Sequence, residues 1–131
     1  MIDDDNKTQE PAGELAIRTL AMPQDTNVNG DIFGGWVISY MDLAGLSIAR
    51  KRCKCRVTTV AIDKMVFLSP VHVGDFICCY GELLKVGRTS MTIRIQTYAT
   101  DELGGSYRRV TEGIFTYVSI DAHGKPTPVE S

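Results

Sequence analysis

Residues 29–51 read NGDIFGGWVISYMDLAGLSIARK, and the part from Gly34 onward decides the fold. Val37, Ile38, Met41, Leu43, Leu46, Ile48 and Ala49 place apolar side chains on nearly every face until Arg50. Such a stretch predicts an α-helix from Gly34 or Gly35 to about Lys51, buried on most sides rather than lying on a surface. The basic run Arg50-Lys51-Arg52, with Lys54 and Arg56 behind it, reads as a solvated helix end, where cations complement the dipole. A helix this apolar needs a sheet around it.

The remainder supplies strands. ELAIRTLAM (14–22) suits a short one and is followed by PQDTNVNGD (23–31), a loop dense in turn formers. RVTTVAIDKMVFLS (56–69), DFICCYGELLKVGR (75–88), SMTIRIQTYATD (90–101) and SYRRVTEGIFTYVSID (106–121) alternate or run apolar. The short connections SPVHVGD, VGRTS and ELGGS favour an antiparallel meander. The fold class is therefore α+β, with one long central helix wrapped by an antiparallel sheet. Residues 14–124 form a single domain, residues 1–13 read as a disordered polar segment and 125–131 as a proline-bearing tail. So small a sheet leaves edges and apolar surface uncovered, so pairing with a second copy is expected.

Bulk composition narrows the function. With 131 residues, 44% apolar, 23% charged, a net charge of -2 and a pI near 5.6, nothing points to nucleic acid or an anionic membrane as partner. No apolar run reaches the ~18 residues of a membrane span and no signal-peptide pattern opens the chain, so it reads as cytoplasmic. Cys53 and Cys55, then Cys78 and Cys79, lack the spacing of a structural zinc site, and free thiols are expected at all four. On a strand, Cys78 and Cys79 face opposite sides.

The chemistry sits in the opening stretch. Asp42 falls in the middle of an apolar helix, a position with poor propensity and a heavy desolvation cost unless the carboxylate is bonded. It either lies on a thin exposed stripe, bonds a backbone amide from the sheet, or does chemistry. Gly34 and Gly35 leave the first helical amides open to a ligand oxygen, with no Cβ in the way. Gly35 and Asp42 are seven residues apart, on one helical face. A carbonyl polarised at the helix start with a carboxylate, or its bound water, within reach suits acyl transfer to water. Asp31 reads as a residue of the helix start, Trp36 as a core or interface filler, and Ser39 as packing.

These residues carry a resemblance. LAMPQDTNVNGDIFGGWVISYMDLAG (20–45), VTTVAIDKMVFLSPVHVGDFICCYGELLKVGRTSMTI (57–93) and FTYVSIDAHGKPTPV (115–129) resemble, in order, the YciA-type acyl-CoA thioesterases, a hotdog-fold family. The likeness implies a hotdog with a five- or six-stranded sheet. It implies a homodimer as the active unit, with sites at the interface, and a homohexamer built as a trimer of dimers. It implies hydrolysis of acyl-CoA to free acid and coenzyme A, with no metal or cofactor. By likeness Asp42 is the catalytic aspartate, as base or nucleophile. Asn27 lies opposite it, from the partner subunit, and the Gly34–Gly35 backbone polarises the thioester carbonyl. Lys85, Arg88 and Ser90, around a hairpin, are candidates for coenzyme A phosphates or simply a solvent-facing turn. Thr58 and Thr59 are candidates for the pantetheine arm, or plain strand residues. A non-catalytic acyl-CoA sensor and a hotdog dehydratase are the competing readings. The second would want a histidine near the helix, whereas His72 sits in a turn and His123 in the tail.

Overall fold

The structure, a computed structural model, describes residues 11–100 and 106–130. Its elements are β1 (Glu14–Leu20), α1 (Gly34–Cys53), β2 (Arg56–Phe67), β3 (Phe76–Val86), β4 (Ser90–Thr100) and β5 (Tyr107–Ile120). They form one helix laid on one five-stranded sheet of order β1-β3-β4-β5-β2, antiparallel throughout. The architecture is the one the helix pattern and the resemblance imply. The expected disordered segment falls mostly outside the described residues, as does most of the ELGGS connection.

The strand order departs from a simple meander. β3, β4 and β5 do follow one another, but β2 pairs with β5 and β1 with β3, so β1 and β2 hold opposite edges. The SPVHVGD segment is consequently a crossover and not a hairpin turn. It is fixed by its backbone: the amides of Leu68 and Ser69 both reach Val110 O, at 2.7 and 3.3 Å, and Val71 O accepts from Ile32 N at 3.2 Å.

Helix α1 buries Val37, Met41, Ala44, Gly45, Ile48 and Ala49, a stripe at three- and four-residue spacing. This stripe packs on Ile77, Cys79, Met91, Ile93, Ile95, Phe115 and Tyr117 from the sheet. Within one chain the helix is therefore buried along one side only, and Leu43 is 51% exposed. The sequence pattern asked for burial on most sides, and a single five-stranded sheet can cover only one. Gly81 lets the helix lie close to β3, since a Cβ there would meet the tip of Ile48 at 2.1 Å.

Two further details differ from expectation. Cys53 and Cys55 are joined as a disulfide, with Cα atoms 5.2 Å apart, where free thiols were expected. The pair straddles the helix end, and Lys54 between them is left-handed (φ 58°), which swings both side chains to one side. Cys78 and Cys79 are free and buried. The segment after residue 124 packs back on the domain: Val129 is buried in the core and its amide bonds Arg88 O at 2.8 Å.

Phe115 is fully buried beneath the helix, whereas Leu84 is 45% exposed on β3. Phe115→Ala should cost ~3–5 kcal/mol of unfolding free energy, and Leu84→Ala within about 0.5. Urea unfolding monitored by circular dichroism measures both, and equal losses would contradict this placement of the core.

Candidate active site

The site begins with a register. Thr59 of β2 and Tyr117 of β5 are cross-strand partners, and both point toward the helix. Above them lies Asp42. Thr59 Oγ1 donates to Asp42 Oδ1 at 2.7 Å, and the Tyr117 hydroxyl lies 2.9 Å from the same oxygen and 2.8 Å from the Asp42 carbonyl. Burial, and then the negative charge of Asp42, push the Tyr117 phenol far above its ordinary range. It stays a neutral donor through the whole neutral and mildly alkaline region. The mid-helix aspartate is thus neither on an idle exposed stripe nor bonded to backbone. Both side-chain hydrogen bonds fall on Oδ1.

Gly45 makes this possible. A Cβ on Gly45 would stand 2.1 Å from the Tyr117 hydroxyl and 2.7 Å from its ring carbons. Helix and tyrosine could not both keep their places with any larger residue there.

The helix start has its own geometry. Phe33 is the N-cap and makes no side-chain cap, and the first amides to close a turn are those of Trp36 and Val37, on Phe33 O at 3.1 and 3.3 Å. The Gly34 and Gly35 amides precede them with no carbonyl a turn behind. A Cβ on Gly35 would meet nothing within 4 Å, so packing inside the chain does not require glycine there. Beside Gly34 opens an apolar cavity of about 380 Å³, lined by Ile32, Val37, Phe67, Val71 and Val110 among others. Asp31 stays in the loop before the cap, its carboxylate 3.8 Å from His72 Nδ1. Trp36 is half-buried against Tyr40, with ring centroids 4.8 Å apart.

Asn27 organises the loop that leads into the helix. Its side-chain carbonyl accepts from the amides of Asn29 (2.8 Å) and Asp31 (3.1 Å), which leaves the amide NH₂ as a donor. Phe33 N on Asp25 O ties this loop to the helix start, so Asn27, Gly34 and Gly35 belong to one hydrogen-bonded block.

Of the residues considered for coenzyme A, Thr59 is engaged with Asp42, while Thr58 is exposed on β2. Thr58 and Ser90 flank Val118 in one row across β2, β5 and β4. Lys85 and Arg88 are exposed at the β3–β4 turn near that row, away from the Gly34–Gly35 end. Tyr117 and Gly45 were missed in the sequence. A tyrosine at an inward position of the alternating FTYVS was a signal that some buried acceptor needed it, but only the register shows which.

The family model of the thioesterase superfamily matches residues 29–105. The acyl-CoA thioester hydrolase YciA of Salmonella typhimurium is 49% identical over 123 residues, covering 91% of this chain and 92% of that protein. Among solved structures, the hexameric thioesterase from Yersinia pestis has a TM-score of 0.86 at 50% identity, covering 93% of this chain and 100% of that one. A hexameric broad-specificity acyl-coenzyme A thioesterase gives 0.85 at 43% identity, covering 94% and 85%, and its aspartate-to-alanine mutant has been solved as well.

The glycines separate by substitution. Alanine at position 35 meets open space and should leave stability unchanged or raise it by about 0.5–1 kcal/mol. Alanine at position 45 gains ~1 kcal/mol of helix propensity but drives into a buried tyrosine, and should lose ~1–2 kcal/mol net. Thermal melts of Gly35→Ala and Gly45→Ala read the difference, and the reverse order would contradict the Tyr117 placement.

Proposed function

Because this chain belongs to the thioesterase superfamily, among the YciA-type acyl-CoA thioesterases, we propose that it hydrolyses acyl-CoA thioesters, with Asp42 as the catalytic carboxylate. The products are a free acid and coenzyme A. The observation that carries this reading is the asymmetry of the Asp42 carboxylate. Oδ1 is held by Thr59 and Tyr117, so the group is oriented and Oδ2 is the oxygen left to engage a water or the substrate. Oδ2 either takes a proton from water as it attacks the thioester carbon, or attacks that carbon itself to give an anhydride that water then opens. In both cases the carbonyl oxygen gains charge and coenzyme A is expelled as its thiolate. The thiolate takes up a proton that the attacking water gives up, directly in the first route and after the anhydride opens in the second. The amides of Gly34 and Gly35 suit that developing oxyanion.

One distance refines the sequence-based picture. Seven residues of helix put Gly35 and Asp42 about 10 Å apart along the axis. Carboxylate attack on a carbonyl held at the same helix start does not span that gap, and a water-mediated path spans it only when fully extended. The reading that fits is a site shared between two copies, with Asp42 from one and the Asn27–Gly34–Gly35 block from the other. Support comes from the edge strand β2, where Val60, Ile62 and Val66 are exposed. Pairing along this edge would cover them and bring two helices side by side, with the bare Leu43 flank toward the partner. The assembly is a homodimer as active unit and a hexamer as trimer of dimers, in line with the hexameric relatives. Thr58, Lys85, Arg88 and Ser90 are the candidates for coenzyme A.

Release of free thiol from a series of acyl-CoA thioesters tests the proposal. Wild type should turn over, and Asp42→Asn should lose about 10²–10⁴-fold in kcat while melting cooperatively. Binding without thiol release would move the chain to a sensor role. Gly35→Ala should lose activity without losing stability. Equal mixtures of Asn27→Ala and Asp42→Ala, refolded together, should recover roughly a quarter of wild-type activity if sites are shared by pairs; no recovery would sink the shared site.

A further inference from the structure

Cys53 and Cys55 play no part in the site around Asp42, yet their surroundings are built. We propose that they form a reversible dithiol–disulfide pair that exchanges with small anionic disulfides. The inference does not depend on the thioesterase reading.

The backbone sets up the pair. Residues two apart in a regular helix point away from each other, but α1 ends between these two. Lys54 takes the left-handed conformation (φ 58°), and its amide closes on Arg50 O at 2.7 Å. The Cα atoms then stand 5.2 Å apart, within the range a disulfide spans. Both sulfurs meet one hydroxyl, Ser119 Oγ, at 3.5 and 3.2 Å. Ser119 is fully buried on β5, and its amide is fixed to Thr89 O at 2.8 Å. The same serine therefore serves the pair whether oxidised or reduced, accepting from a thiol or donating to sulfur.

Access and charge favour exchange. Cys53 and Cys55 are only half-buried. Cys78 and Cys79 are buried instead, and burial raises both thiols, that of Cys79 to about 11, which leaves them inert. Five cations, Arg50, Lys51, Arg52, Lys54 and Arg56, crowd the seven positions around the pair. Lys51 and Arg52 pair with Glu14 and Glu130, while Arg50 and Lys54 have no ion pair among the described residues. Such a field stabilises a thiolate against the negative end of the helix dipole and draws in anionic reagents. Because the bond closes so short a loop, it restricts the unfolded chain little, so its hold is weak and reduction is easy.

In the exchange, a thiolate of the pair attacks one sulfur of the small disulfide and expels one thiolate. The second cysteine gives up its proton, attacks the protein sulfur of the mixed disulfide and expels the other. Two protein thiols become one disulfide, and one small disulfide becomes two thiols; excess small thiol runs the steps backward.

Full-length reduced protein is incubated with glutathione disulfide, quenched with an alkylating agent and read by peptide mass. The expected result is loss of two hydrogens across the Cys53–Cys55 peptide, unmodified thiols at Cys78 and Cys79, and return on adding glutathione. Oxidation should run about tenfold faster than with uncharged hydroxyethyl disulfide, and the ratio should shrink as salt rises. Cys55→Ser should instead trap a mixed disulfide at Cys53. Full alkylation of both cysteines after incubation, stable single adducts in wild type, equal rates with both reagents, or equal oxidation of the urea-unfolded chain would each overturn the proposal.

Discussion

A carboxylate in the middle of an apolar helix is costly unless something holds it, and here two neutral hydroxyls do. Thr59 and Tyr117 reach Asp42 Oδ1 from adjacent strands, which locks the helix in rotation and height relative to the β2–β5 pair. A bond to a charged acceptor contributes more than a neutral one, and breaking either leaves a polar group short of a partner. Much else follows from this contact. Gly45 is small because Tyr117 stands under it, and the burial of Tyr117 keeps its proton in place as a donor.

The same contact divides the helix by function. Its buried stripe holds the fold, and its first turn exposes amides beside an apolar cavity. Asp42 lies between stripe and surface, half-buried, with one oxygen committed to the sheet. What a single chain does not do is bring Asp42 and the glycine pair together. The rise of the helix separates them, and the loop built on Asn27 stays with the glycine end. An exposed β2 edge and a bare Leu43 flank are the surfaces a second copy would need.

How much of this could be read from the residues depended on distance along the chain. The helix, its start at the glycine pair and the strands β3 to β5 follow from local pattern, and they lie within a few residues of expectation. The edge positions of β1 and β2 did not, because strand order is set by non-local pairing that short connections only suggest. Asp42 stood out for being polar among apolar neighbours. Tyr117 did not, since tyrosine is ordinary in a strand and its partner lies 75 residues away. Thr59 was read as a ligand contact or a plain strand residue, and its bond to the aspartate shows only in the structure. The Cys53–Cys55 pairing was set aside because a cytoplasmic setting favours free thiols, and nothing local to the residues marks the left-handed Lys54 that turns the two side chains together.

The central claim is that the Tyr117 hydroxyl acts through the Asp42 carboxylate. A double-mutant cycle on kcat/KM for acyl-CoA hydrolysis, with Tyr117→Phe, Asp42→Asn and the two combined, tests it most directly. If the tyrosine works by orienting the aspartate, it should cost about 10-fold or more alone and almost nothing once Asp42 is already neutral. Fully additive losses would contradict the account.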